Sequence, residues 1–115
     1  MNILIVDDEQ LVRWFLERAL SRLGHRIVSA SNCDEAARAL SKETFDLIFT
    51  DLRMPEGNGT VLIDKVSEIT NPPKIVVCSA YLSSEMIEDY KHGGIKVLRK
   101  PFSLEELEHV LAEIA

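Results

Sequence analysis

Acidic side chains follow two apolar runs of the sequence, at the points where each run ends. Asp7, Asp8 and Glu9 come directly after residues 3–6, and Asp51 comes directly after a later run of the same kind. Carboxylates that are brought together repel one another, and each favours its protonated form unless a cation joins them. Mg²⁺ is a hard cation that usually binds through one or two carboxylates together with a phosphate. The sequence therefore predicts a magnesium site for which Asp8 and Asp51 are the candidate carboxylate ligands.

A hydroxyl group and an ammonium group follow two further apolar runs. Ser79 comes directly after residues 75–78, and Lys100 closes the run that contains Val97. A carboxylate can act as a nucleophile toward phosphorus and form an aspartyl phosphate. Such a transfer needs mainly positioning and charge neutralisation, which Mg²⁺, Lys100 and the Ser79 hydroxyl would supply. Because this set contains no histidine base and no glycine-rich phosphate loop, it fits a phosphate-accepting site better than a nucleotide-dependent enzyme.

The segments that position these residues alternate between strand-like and helix-like patterns. Strands are predicted at residues 3–6, 25–30, 47–50, 75–78 and 97–98. Helices are predicted at residues 11–23, after Asn32 with its cap partner Glu35, and at residues 60–69, 84–92 and 104–114. This rhythm favours an α/β fold, with a doubly wound, five-stranded parallel sheet and helices on both faces. In open parallel sheets ligands bind beyond the carboxyl ends of the strands, which is where the acids, the hydroxyl and the ammonium stand.

Asp7 and Asp8 are neighbours in sequence, which limits how they can share a metal ion. Successive side chains of a strand point in opposite directions. Both carboxylates would face one ion only if the chain bends after the first strand. We therefore expect one of the two to bind directly and the other to act through a water molecule.

Two local features are predicted for later parts of the chain. Residues 52–59 contain Pro55 and two glycines, and we expect them to form a loop. Ser103 and Glu106 have the spacing of a capping box at the start of the last helix. The core face of that helix is predicted to consist of Leu104, Leu107, Val110, Leu111 and Ile114.

Length and composition indicate one soluble domain over residues 1–115. The hydrophobic share is 46%, the charged share is 28%, and no apolar run approaches the ~20 residues that span a membrane. The net charge of −6 argues against direct nucleic-acid binding by this domain. Cys33 and Cys78 have no metal-ligand spacing, so we expect both to be reduced. Together with the lack of a signal-peptide pattern, this predicts a cytoplasmic location without membrane contact.

At this point the motifs match a known family: the chain resembles the response-regulator receiver domain over essentially its whole length. The segments that carry the resemblance are Ile5-Val6-Asp7-Asp8-Glu9, Thr50-Asp51-Leu52-Arg53-Met54-Pro55 with Gly59, Ser79-Ala80, Gly93, and Lys100-Pro101-Phe102. Each segment alone is modest evidence, but their order and their places at strand ends are specific. The resemblance implies a flavodoxin-like (βα)5 fold with the strand order 2-1-3-4-5.

The resemblance also implies how a metal ion is held. Asp8 and Asp51 would coordinate Mg²⁺ directly, and Asp7 would assist through water. The backbone carbonyl of Arg53 would be a further ligand. Mg²⁺ is the one cofactor that the resemblance implies.

Roles in phosphoryl chemistry follow from the same resemblance. Asp51 would be the phosphoacceptor, Ser79 the switch hydroxyl, and Lys100 the partner of a phosphoryl oxygen, joined to Pro101 by a cis peptide bond. One residue departs from the pattern: many receivers carry Tyr or Phe three residues before this lysine, where the present chain has Val97. Valine cannot make an aromatic rotation, so the output motion is expected to differ.

The resemblance implies partners as well. A histidine kinase would donate the phosphoryl group, and an output domain or a downstream protein would receive the signal by way of a change between two conformations. Residues 12–20 resemble the first helix of receivers of the nitrogen-regulation class, which usually precede an ATPase domain and a DNA-binding domain. Homodimerisation stays open, and two interpretations of Trp14 stay open as well, as a partner contact or as a partly buried surface aromatic.

Three other functions compete with the signalling role. A Mg²⁺-dependent phosphatase that uses an aspartyl phosphate commonly needs a second Asp two residues after the nucleophile, where this chain has Arg53. A flavodoxin-like cofactor binder needs a hydroxyl-rich phosphate loop after the first strand, where this chain has acids. A receiver that binds partners without phosphorylation is favoured by Val97 alone.

Arg53 and Tyr81 support a hypothesis about the lifetime of the phosphoryl group. Each lies two residues beyond a site residue, Asp51 or Ser79, so both are predicted to flank the mouth of the site. Large side chains there would hinder the water that hydrolyses an aspartyl phosphate. The sequence thus predicts a comparatively long-lived phosphoryl group.

Overall fold

The computed structural model describes residues 1–54 and 57–114, and for residues 53, 54 and 57–60 it describes the backbone alone. Pro55 of the family motif therefore lies outside the described residues. The elements follow one another as β1 (Asn2–Val6), α1 (Gln10–Arg22), β2 (Arg26–Ala30), α2 (Cys33–Lys42), β3 (Leu47–Thr50), β4 (Arg53–Met54), β5 (Gly57–Asn58), α3 (Gly59–Ser67), β6 (Lys74–Ser79), α4 (Ser84–His92), β7 (Lys96–Arg99) and α5 (Leu104–Ile114).

Five of these strands form a parallel sheet in the order β2-β1-β3-β6-β7. When only the strands of this sheet are counted, the order is 2-1-3-4-5, which confirms the predicted fold. Ile3 of β1 pairs with Ile27 on one side and with Leu47 on the other, so β1 lies inside the sheet beside β3. The strand order reverses between β1 and β3, and this is the place where open parallel sheets form a binding crevice.

The side chains of β1 alternate between two hydrophobic cores on the two faces of the sheet. Leu4 and Val6 belong to the core that α2, α3 and α4 cover, and Ile3 and Ile5 belong to the core under α1 and α5. All four side chains are fully buried. Burial of a side chain of this size contributes about 1.5–3 kcal/mol. The apolar run at the start of the chain is therefore a central strand that is covered on both faces, as predicted.

Side-chain caps fix the start of three helices. The N–H of Glu35 donates to Asn32 Oδ1 at 2.9 Å, as the sequence predicted for α2. Ser103 Oγ accepts the N–H of Glu106, whose carboxylate accepts in turn the N–H of Ser103, so the predicted capping box of α5 is confirmed. Ser83 caps α4 by accepting the N–H of Met86 at 3.1 Å. These bonds satisfy backbone donors that the first helical turn leaves without partners.

The structure differs from the sequence-based expectations at two places. The predicted loop at residues 52–59 contains a short antiparallel pair, β4 with β5, which is too short to leave a periodic pattern. Leu104 was expected in the core, but it is 47% exposed, because in the first turn of α5 it borders a surface groove beside Arg18 and Arg22 of α1. Leu107, one turn further along, is fully buried. Within the described parts of the chain, no helix combines the length and the apolar character that crossing a membrane requires.

Candidate functional site

Asp7 and Asp51 extend the sheet by one residue at its carboxyl edge. The N–H of Asp7 donates to the carbonyl of Ala30 at 3.1 Å, and the N–H of Asp51 donates to the carbonyl of Val6 at 3.0 Å. Both residues are buried, with exposed fractions of 2% for Asp7 and 6% for Asp51. The sheet ladder thus carries two carboxylates into the crevice where the strand order reverses.

Four acidic side chains meet at this edge: Asp7, Asp8, Glu9 and Asp51 each place a carboxylate oxygen within 4.8 Å of the others. The chain bends after Val6, because the N–H of Glu9 donates to Asp7 Oδ1 at 2.9 Å and closes a tight turn. Asp7 and Asp8 therefore do not point in opposite directions, as successive side chains of a strand would. Their carboxylates share one pocket. Which of them binds directly and which through water stays a prediction.

Glu9 is the member of this cluster to which the sequence analysis assigned no role. The signal was present, since Glu9 is the third acid in a row after a buried strand. Arg13 of α1 was missed as well. Its Nη1 donates to the backbone carbonyl of Asp7 at 2.5 Å, which fastens the bend to the helix.

The side chain of Lys100 enters the same pocket from the end of β7. Its Nζ lies 2.7 Å from Asp7 Oδ2, 3.0 Å from Asp51 Oδ2 and 3.1 Å from Glu9 Oε1. Burial by itself lowers the pKa of Lys100, but hydrogen bonds to Asp7 and Asp51 and their negative charges outweigh it, so the pKa lies above its ordinary value. The ammonium group therefore stays charged. The predicted meeting of Lys100 with Asp51 is observed, and the peptide bond to Pro101 is cis.

Asp7 is the buried carboxylate whose ionised form this arrangement disfavours. Burial raises the pKa of Asp7 above the usual 3.8, and the negative charge of Asp51 adds to that rise, although the hydrogen bonds from Lys100 and from the N–H of Glu9 oppose it. One lysine thus compensates several carboxylates incompletely. An all-oxygen set of this kind fits a hard divalent cation such as Mg²⁺, whose charge would relieve the repulsion. The carbonyl of Arg53, whose backbone belongs to β4, stays a predicted ligand.

The carboxylate of Asp51 is oriented through both oxygens. Oδ1 accepts the N–H of Leu52 at 2.7 Å, and Oδ2 accepts the hydrogen bond from Lys100. Ser79, at the end of β6, is fully buried, and its Oγ accepts the N–H of Tyr81 at 3.1 Å. The hydroxyl thus closes the turn after β6, and its reach toward a phosphoryl group stays a prediction.

The family model for the response regulator receiver domain matches residues 3–112. The chain is a response-regulator receiver domain. It is 36% identical over 111 residues to the DNA-binding transcriptional regulator NtrC of Azospirillum brasilense, which confirms the resemblance to the nitrogen-regulation class. That alignment covers 96% of this chain and 23% of the relative, so the receiver domain spans about a quarter of the relative's length.

Solved receiver structures share the fold over the whole domain. A two-component response regulator from Clostridium difficile superimposes with a TM-score of 0.89 at 29% identity, covering 99% of this chain and 94% of that one. A response regulator from Burkholderia pseudomallei, solved with a phosphorylated aspartic acid, a calcium ion and citrate, has a TM-score of 0.81 at 28% identity. The coverage there is 99% of this chain and 72% of that protein.

Val97 departs from the family pattern, whereas Trp14 belongs to the helix segment that resembles the nitrogen-regulation class. Val97 is half-buried in β7, where it pairs with Val77 of β6 and packs against the core under α4. Trp14 is 56% exposed on α1, which leaves most of its ring available to a partner. Phe15, next to it, stacks edge-on against Phe102 with ring centroids 5.7 Å apart.

Proposed function

We propose that this receiver domain accepts a phosphoryl group on Asp51 from the phosphohistidine of a histidine kinase. The bond between phosphorus and the histidine nitrogen breaks as a bond between phosphorus and an Asp51 oxygen forms, and the imidazole keeps the electron pair. One observation carries the proposal: the buried Asp51 carboxylate is held by Lys100 and by the N–H of Leu52 within a cluster of acids. The phosphorylated aspartic acid of the Burkholderia relative supports it.

The residues of the pocket supply positioning and charge. Lys100 is charged and already hydrogen-bonded to Asp51, so a phosphoryl oxygen attached there lies within reach of its N–H donors. Asp8 and Asp51, the carbonyl of Arg53, and Asp7 through water would hold Mg²⁺. When bound, the ion would neutralise negative charge on the phosphoryl oxygens. The Burkholderia relative was solved with a calcium ion, so a structure with this fold can hold a divalent cation.

Phosphorylation would act by shifting the population between two conformations. The buried Ser79 hydroxyl would leave its bond with the Tyr81 N–H and bind the phosphoryl group, which would move the turn after β6. Val97 on the neighbouring strand fills its site without an aromatic ring, so the rearrangement would pass through the backbone of that turn. The surface formed by α4, β7 and α5 would then change its preference for a partner.

The similarity to NtrC supports the proposed partners. A histidine kinase upstream, and an output domain or downstream protein of the transcription-regulating kind, fit the similarity to NtrC. The domain itself is proposed to act in the cytoplasm, without contact to nucleic acid or membrane. A homodimer is compatible with this role.

A second candidate function is a receiver that binds its partner without phosphorylation, and Val97 favours it. The two candidates differ in the chemistry of Asp51. In the first, the carboxylate forms a covalent bond to phosphorus. In the second, it serves only the charge balance of the pocket.

The test is the intact mass of the domain after incubation with acetyl phosphate, with and without Mg²⁺. The proposal predicts a Mg²⁺-dependent gain of one phosphoryl group that Asp51→Ala loses. Asp64→Ala, which removes an exposed acid of α3, is the matched control and should keep the gain. If neither acetyl phosphate nor beryllofluoride modifies or binds the wild type, the phosphorylation-independent function holds instead.

A further inference from the structure

Glu9 shares the ammonium group of Lys100 with the two buried aspartates. Nζ lies 3.1 Å from Glu9 Oε1, compared with 2.7 Å from Asp7 Oδ2 and 3.0 Å from Asp51 Oδ2. An ammonium group has three N–H donors. Each donor is therefore matched by one carboxylate, and Glu9 is the third acceptor.

The three carboxylates that contact the ammonium group differ in their exposure to solvent. The side chains of Asp7 and Asp51 are 2% and 8% exposed and that of Lys100 is 10% exposed, whereas Glu9 is 59% exposed. Glu9 thus forms the solvent side of the ammonium's surroundings, and the aspartates form the inner side. A divalent cation or a phosphoryl group competes with Lys100 for the oxygens of the two aspartates. The Glu9 carboxylate would then remain as the hydrogen-bond acceptor of the ammonium group.

The backbone of Glu9 is fixed in the bend that forms the pocket. Its N–H donates to Asp7 Oδ1 at 2.9 Å, and Arg13 holds the carbonyl of Asp7 at 2.5 Å. An ion pair between two long surface side chains usually gains little, because both must be ordered to form it. Here the Glu9 backbone is fixed by its hydrogen bond and the Lys100 side chain is mostly buried, so less ordering is needed to form the pair.

We propose that Glu9 is a positioning residue that keeps the ammonium group of Lys100 at the site while the aspartate oxygens bind a divalent cation. The role rests on the proposed function of Asp51 and deepens it. Without Glu9, Lys100 loses its remaining acceptor when the cation enters. The cation must then displace the lysine from the aspartates at a greater cost, and it binds more weakly.

The test is a double-mutant cycle on Mg²⁺ affinity, measured from backbone amide shifts in NMR titrations. The four proteins are the wild type, Glu9→Gln, Lys100→Met and the double variant. Glu9→Gln is expected to weaken Mg²⁺ binding about threefold in the wild-type background, the size of an exposed ion pair. The loss should disappear in the Lys100→Met background, because no ammonium group remains to be held. An equal or larger loss there, or no loss in either background, overturns the proposal.

A second measurement does not depend on the folding of Lys100→Met. The rate at which acetic anhydride acetylates Lys100 is compared with that of the exposed Lys74 in the same protein. With Mg²⁺ present, Glu9→Gln should raise the relative rate at Lys100, and the conservative variant Glu9→Asp should restore part of the protection. A rate that is unchanged in Glu9→Gln contradicts the proposed role.

The wild-type titration separates this role from the proposed function. Absence of Mg²⁺ binding by the wild type would overturn the metal site and the role of Glu9 together. Mg²⁺ binding that Asp51→Ala abolishes, together with equal losses from Glu9→Gln in both backgrounds, would overturn the role of Glu9 alone.

Discussion

The Nζ atom of Lys100 lies 2.7 Å from Asp7 Oδ2, across 93 residues of sequence. Both side chains are mostly buried. Among the described residues, Lys100 is the positively charged side chain that contacts the buried acids of this cluster. The pair shows how the pocket is balanced before any ligand enters. The single positive charge of Lys100 stabilises carboxylates that would otherwise repel one another. A divalent cation would neutralise the negative charge that the lysine leaves uncompensated.

Asp7→Asn is expected to change how the stability of the domain depends on pH. Because burial raises the pKa of Asp7 above 3.8, the folded state binds more protons than the unfolded state between 3.8 and the folded value. The contribution of Asp7 to the free energy of unfolding is therefore fully present below pH 3.8. It is lost as the pH rises through the pKa that Asp7 has in the folded state. Asp7→Asn removes this loss, so its stability relative to the wild type should be greater at neutral pH than in acid.

Urea unfolding in the presence of a chelator measures this difference. Asp64→Asn, at an exposed position of α3, is the control and should leave the pH dependence of the wild type unchanged. A stability difference between Asp7→Asn and the wild type that stays constant with pH would show that Asp7 is not strained by its burial.

Arg53→Asn combined with Tyr81→Ala is expected to shorten the lifetime of the phosphoryl group. Tyr81 is 61% exposed, two residues beyond the buried Ser79, and its position at the mouth of the site stays a prediction. Smaller side chains there would admit the hydrolytic water more easily. The decay of the phosphorylated mass with time measures the rate, and Tyr81→Phe, which keeps the ring, should decay like the wild type. An unchanged decay rate in the double variant would refute the hypothesis.

The two cysteines are expected to differ in their reactivity toward thiol reagents. Burial raises the pKa of Cys78, which is 1% exposed, and it also raises the pKa of the half-buried Cys33 with help from Asp34. The thiolate is the reactive form, and it must also be reached by the reagent. In the native domain Cys33 should react first and Cys78 only after unfolding. Cys33→Ser should abolish the native reaction, and rapid labelling of Cys78 in that variant would contradict the packing of β6.

Two leucines of α5 provide a matched test of the core. Leu107 is fully buried beneath the helix and Leu104 is 47% exposed, one turn earlier. Leu107→Ala should lower the free energy of unfolding by about 3 kcal/mol, since it leaves a cavity. Leu104→Ala should cost less than about 1 kcal/mol, as surface substitutions do. Equal effects in urea unfolding would mean that the last helix is seated differently on the sheet.

The same helix shows what the sequence can and cannot predict. Spacing alone put Leu104 and Leu107 on one face, and that is correct. Whether a residue on that face reaches the sheet depends on where the helix begins relative to the strand ends, which is a property of the assembled fold. The apolar runs of β1 and β3 were readable because a strand buried on both faces consists mostly of apolar residues.

The site was predictable for a related reason. Asp51 and Lys100 stand at strand ends, and a parallel sheet brings strand ends together whatever the intervening chain does. The part played by Glu9 and Arg13 depends instead on a bend after β1 that turns three successive acids toward one pocket. That bend is made by hydrogen bonds of the loop itself, and no periodic pattern in the sequence records it.

The most direct test of the central claim is to locate the phosphoryl group on the chain. After incubation with acetyl phosphate and Mg²⁺, borohydride reduces an aspartyl phosphate to homoserine, and peptide fragmentation then identifies the residue that was modified. The account predicts homoserine at position 51 and at no other acid of the cluster, with none formed when Mg²⁺ is removed. Reduction at Asp7 or Asp8, or an unreduced position 51 in protein that has gained the phosphoryl mass, would contradict it.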